Sequence, residues 1–154
     1  MFSIQIVYDE GVRPLPPARE ELLQTRSERI LNHLADCKGS VGILFCDGKR
    51  IRELNRAFRQ KNEPTDILSW SCLDSDAPDV ASADTPWGEL AICLEVCRKQ
   101  AERSGWELET ELQRLIVHGI VHLLGYDHQT PEEEREMLRL ETDLLSRIGL
   151  RHLY

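Results

Sequence analysis

The sequence predicts an α+β fold, a small mixed four-stranded sheet packed with about five helices in a single domain over residues 1 to 154. Three observations predict it. Short β-branched or alternating runs are interleaved with stretches of helical periodicity. The last of these stretches opens on a complete helix-start signal. The 154 residues, 41% of them hydrophobic, carry no internal repeat and no linker, which suits one continuous core.

Residues 2 to 8 alternate, with Phe2, Ile4, Ile6 and Tyr8 on one face, and the segment RPLPP then breaks the strand ahead of a helix ending near Cys37. Ser40 to Cys46 is a β-branched apolar run stopped by Asp47-Gly48. Ile51, Leu54 and Phe58 follow at helical spacing and are expected to turn inward. Ile67 to Leu73 and Gly88 to Leu94 read as two more strands, and the small, acidic, Pro-containing segment 74 to 86 between them as a mobile surface loop. A helix from Glu95 to about Ser104 breaks at Gly105. The next runs from Glu107 to Leu124, with Leu108, Leu112, Leu115, Ile116, Ile120 and Leu123 on its apolar face and Gly125 as its stop. Thr130 as N-cap, Pro131 at the first helical position and Glu133 three residues after the cap announce the final helix, which turns Met137, Leu144, Leu145 and Ile148 to the core.

Composition narrows the function. A net charge of −8 argues against a general nucleic-acid coat but leaves room for a local basic site. The start MFSIQIVYDE lacks the features of a signal peptide, and no run of about 18 apolar residues occurs, so a soluble, cytoplasmic protein without a membrane partner is expected. Cys37, Cys46, Cys72, Cys93 and Cys97 form an odd set without a CxxC pair, which reads as reduced and mostly buried thiols.

The main chemical signal is HGIVHLLGYDH, residues 118 to 128. Two helical residues four apart differ by about 40° in direction and about 6 Å in rise, so His118 and His122 can address one metal ion. Gly125 can adopt the left-handed backbone that ends a helix and bring His128 round to the same ion. Zinc suits three neutral imidazoles with an open fourth position, the arrangement in which it lowers the pKa of bound water toward about 7, and one ion per chain is expected. Nickel or copper would accept the same ligands. The string matches the protease pattern H-E-x-x-H-x-x-G-x-x-H at its ligands and glycine, but Gly119 stands where a metalloprotease carries its general base.

A second feature is the segment from Lys49 to Lys61, where Lys49, Arg50, Arg52, Arg56, Arg59 and Lys61 face a single acidic residue, Glu53. These six are candidates for phosphate contact, with a solvated helix face as the alternative. Asp66, in the Pro64-Thr65-Asp66 turn, is a candidate to orient a ligating histidine through its second nitrogen, or else a strand-start cap or turn residue. Asp127 is a candidate for the same service, for a general base or for a turn residue that accepts backbone N–H bonds, with the turn favoured. Trp70 and Trp87 can stack unpaired bases but are more often core.

Taken together, LNRAFRQKNEPTDILSW (54 to 70), WGELAI (87 to 92) and HGIVHLLGYDH resemble the YbeY endoribonuclease family in order and separation, over roughly two-thirds of the chain. The resemblance implies a zinc-dependent, single-strand-specific endoribonuclease acting in maturation of the 3′ end of small-subunit ribosomal RNA and in late ribosome quality control. It implies ribosomal RNA, the small subunit and its proteins as partners. By the same resemblance His118, His122 and His128 match the zinc ligands and Arg59 an arginine important for cleavage. Two residues depart from the family pattern, which usually has Asp at Glu89 and Phe at Trp70. The competing readings are a zinc metallopeptidase-like hydrolase, a structural zinc site and a non-catalytic ribosome assembly factor.

Overall fold

The elements follow one another as β1 (Phe2–Tyr8), α1 (Pro17–Leu34), β2 (Gly39–Cys46), α2 (Gly48–Arg59), β3 (Ile67–Ser71), β4 (Pro86–Cys93), α3 (Leu94–Ser104), α4 (Leu108–Leu123) and α5 (Pro131–Arg147). The computed structural model describes residues 2–34, 39–71, 86–151 and 153. The expected end of the first helix near Cys37, and residues 74 to 85 of the expected loop, lie outside them. Pro86, expected to close that loop, opens β4 instead.

The sheet order is β1-β2-β4-β3. β1, β2 and β4 are parallel, with Ile4 opposite Val41 and Ile43 opposite Leu90, while the edge strand β3 runs antiparallel to β4. Alternation along the strands sorts side chains between two layers. Val41, Ile43, Phe45, Leu90 and Ile92 enter the main core beneath α1, α3, α4 and α5, whereas Cys46, Ala91 and Cys93 meet Ile51 and Leu68 in a smaller cluster under α2. A helix on each face thus brackets the β3 edge, and the site lies there.

α4 is the centre of the packing. Its described neighbours include α1, α3, α5, β3 and β4, and buried residues run almost all round it, from Leu112 and Gln113 through Val117 and Gly119 to Val121 and Leu123. The single apolar face expected from the sequence understated this, because a helix clasped on every side buries its small and polar residues too. From Glu111 to Leu123 this helix is buried except at Arg114, His118 and His122, which are half-buried. In α2 the expectation for Phe58 is corrected. It is 57% exposed and sits edge-on to Trp70, ring centroids 5.4 Å apart, since only Ile51 and Asn55 of α2 are fully covered.

Cys46, Cys93 and Cys97 are buried free thiols, as their scatter implied, while Cys37 and Cys72 lie outside the described residues. Burial pushes the Cys46 thiol up to about 12 and raises Cys93 and Cys97 as well. Because the thiolate is the nucleophile, all three stay protonated and inert near neutrality. Peptide mass spectrometry after alkylation at pH 8 should find them unmodified in native protein and fully modified after unfolding. Rapid native labelling of any of the three would contradict this packing.

Candidate metal centre

The three histidines converge because the end of α4 is built to turn. The Gly125 amide donates to the His122 carbonyl at 2.9 Å and the Tyr126 amide to the Val121 carbonyl at 3.4 Å. Gly125 itself sits at φ +97°, a backbone that side-chain-bearing residues rarely adopt. This is the Schellman pattern of helix termination, which reverses the chain within two residues. Asp127 Oδ1 then accepts from the His128 amide at 2.8 Å, and Thr130 caps α5 by accepting from the Glu133 amide at 3.1 Å. Asp127 thus makes the backbone bond of a turn residue, and His128 is held between two helix ends.

One nitrogen from each of His118, His122 and His128 lies within 4.8 Å of the others, so the three can hold a single ion. Ring centroids are 4.6 Å apart for His118 and His122, and 5.2 Å for His122 and His128. Burial, followed by the neighbouring His118 and His128, holds the His122 imidazole below its usual pKa. That favours the neutral ring, the form with a lone pair to offer. His118 Nδ1 lies 2.5 Å from Oε1 of the buried Glu141 on α5. Donor chemistry and geometry fit a divalent ion of the zinc type with room for exogenous ligands.

Around these rings is a cleft of about 520 Å³ whose other wall is the end of α2, the 60–66 loop and β3. Gln60 ends α2 at φ +61°, and the buried Asn55 side chain donates to the Glu63 carbonyl at 2.9 Å, fixing the loop against its helix. Arg59 borders the cleft and reaches across to β3, where Nη2 donates to the Ser69 carbonyl at 2.7 Å. Its remaining guanidinium donors have no partner among the described residues.

Of the six basic candidates only Arg59 and Lys61 border this cleft. Lys49 and Arg56 are exposed elsewhere on α2, Arg52 donates to Asn62 Oδ1 at 2.9 Å, and Arg50 faces a second groove, between α2 and the sheet, and pairs with Asp9 at 3.6 Å. Glu89 and Trp70 border that second groove, and Trp87 packs edge-on to Phe2, so none of the three reaches the histidines. Asp66 borders the cleft without bonding any histidine. Its Oδ1 accepts from the Ile67 amide at 2.7 Å, and the Gln100 amide, with its nitrogen turned inward, donates to Oδ2 at 3.3 Å. These are the bonds of a strand-start residue, and among the described residues the carboxylate on a histidine of the cleft is that of Glu141. Sequence reasoning missed it because Glu141 lies 23 residues from His118 and reads as one more acid in a helix rich in them.

Gly119 shows why the protease base is missing. A Cβ there would stand 2.7 Å from Leu90 Cδ2 and 3.1 Å from Ile67 Cδ1, so this side of α4 presses on the sheet. A glutamate would have to be buried in that contact.

Fold and site together define an α+β domain with a three-histidine group that could hold a metal ion, two of its members from one helix and the third from the loop that follows. A family model described as endoribonuclease YbeY matches residues 16–149. The chain belongs to the YbeY endoribonuclease family. Among its relatives, endoribonuclease YbeY of Geobacillus sp. (strain WCH70) is 39% identical over 80% of this chain and 85% of its own length. That of Brevibacillus brevis is 35% identical over 97% and 99%. A Thermotoga maritima protein solved in solution shares the fold at a TM-score of 0.56 and 24% identity, over 96% of this chain and 91% of that one.

Proposed function

We propose that this protein is a zinc-dependent endoribonuclease specific for single-stranded RNA, acting in maturation of the 3′ end of small-subunit ribosomal RNA and in late ribosome quality control. The observation that carries the chemistry is the convergence of three imidazoles on one side of a cleft whose opposite wall presents Arg59. The RNA substrate follows from family membership and the names of the relatives. The ribosomal setting and a cytoplasmic place of action follow from the resemblance carried by residues 54 to 70, 87 to 92 and 118 to 128. No helix among the described residues is long and apolar enough to cross a membrane.

His118, His122 and His128 would hold the ion. When bound, it supplies Lewis-acid activation of water or of a phosphate oxygen. Arg59, anchored on Ser69, directs its unused donors into the cleft, where a planar guanidinium meets two oxygens of a phosphodiester and offsets the charge that develops during cleavage. Lys61 adds a point charge for the flanking phosphate. With Gly119 packed on the sheet, no carboxylate stands in the position a peptidase uses for its base, which sets the metallopeptidase reading aside.

Purified protein should contain about one zinc per chain and cleave a single-stranded small-subunit rRNA precursor segment in preference to its duplex. Chelation should reduce cleavage to background and added zinc restore it. Undiminished cleavage by metal-free protein would overturn the proposal, and equal cleavage of duplex would overturn its strand preference.

A further inference from the structure

One buried carboxylate is unexplained by packing. On α5 the core-facing stripe contains Met137, Leu144, Leu145 and Ile148, and Glu141 occupies a place in it at the spacing of an apolar residue. It is only 5% exposed. A carboxylate in such a slot is costly unless it is hydrogen-bonded or paired. Its polar partner among the described residues is His118, through the contact of Oε1 with Nδ1.

That contact decides which nitrogen His118 has left. A proton on Nδ1 donates to the carboxylate and leaves the lone pair on Nε2, the nitrogen on the other side of the ring. We propose that Glu141 is a positioning residue of the metal centre, holding His118 by its Nδ1–H in the tautomer and ring rotation that present Nε2 to the position shared with His122 and His128. The inference rests on the reading that these three histidines hold a metal. It adds that α5, which contributes no ligand, helps set the affinity of the centre. A carboxylate serves here better than a neutral acceptor because its charge also strengthens the imidazole as a ligand.

The bland account is a polar tie between α4 and α5 that stabilises the fold and nothing else. Glu141→Leu separates the two, because it fills an apolar stripe with an apolar side chain and removes the acceptor. Zinc affinity is measured by competition with a chromophoric chelator, without RNA. Histidine tautomers of the metal-free protein are read from long-range ¹H–¹⁵N correlations, and folding from circular dichroism. The wild type should show His118 protonated at Nδ1. Glu141→Leu should fold, lose that signature and bind zinc about 10–100-fold more weakly. Glu141→Gln keeps an uncharged acceptor, so it should retain the tautomer with a smaller loss of affinity, and it decides the matter if the leucine variant does not fold.

Wild-type zinc affinity in the folded variant, with His122→Ala devoid of zinc, would overturn the role of Glu141 and leave the three-histidine site standing. Unchanged affinity in His122→Ala would overturn both.

Discussion

His122→Ala should abolish zinc binding and RNA cleavage together while leaving a folded protein. Alanine is the most favourable residue in a helix interior, and the ring it replaces projects from α4 toward the cleft rather than into the main core. The helix, its Schellman turn and the burial of Leu123 do not depend on the imidazole. The centre does, because two remaining nitrogens, one of them in the exposed loop at His128, give an ion too few ligands. Affinity should fall by more than the roughly 10–100-fold that removal of an outer hydrogen-bond partner costs. Metal analysis after desalting should find near-stoichiometric zinc in the wild type and almost none in the variant, with cleavage at the level of chelated wild type. Retained cleavage without metal would remove the histidines from the chemistry.

Arg59→Ala should do the reverse, keeping the metal and losing the reaction. Arg59 bonds a backbone carbonyl on β3 and none of the histidines, so zinc content should match the wild type. An exposed position of this kind changes stability by about 0.5 kcal/mol or less. Loss of one well-placed donor to developing charge typically costs on the order of 10²–10³ in rate. Single-turnover cleavage at saturating protein should therefore slow by about 10²-fold or more. Arg59→Lys retains charge but not the planar pair of donors, and should recover only a minor part of the rate. A variant that cuts at the normal rate would exclude Arg59 from the chemistry.

Much of this arrangement was legible because it is written locally. The histidine spacing of four places two rings on one turn of helix, and Gly125 marks the reversal that returns His128. Thr130, Pro131 and Glu133 fix the start of α5. The alternation in residues 2 to 8 gives β1, and the separation of the two sheet faces follows from alternation in β2 and β4. What stayed hidden depends on distant packing. The bond between Glu141 and His118 joins two helices whose relative placement no periodicity specifies. The exposure of Phe58 reflects how little of α2 the sheet covers, which its spacing with Ile51 and Leu54 does not reveal. The basic residues of 49 to 61 are evident as a cluster, yet only the fold separates Arg59 and Lys61, on the cleft, from Arg50, at the other end of α2 on a different groove.

The burial of α4 on nearly every side gives the centre a further property. Two of its three histidines are rooted in this well-packed helix, so the distance between them is inherited from the interior rather than set by a surface loop. Core and metal site then share one mechanical foundation. A cobalt ion bound by the three histidines would act as an optical gauge of that foundation, because any substitution that tilts α4 against Leu90 or Leu144 changes the ligand field, and the visible absorption would report strain in the interior before the protein unfolds.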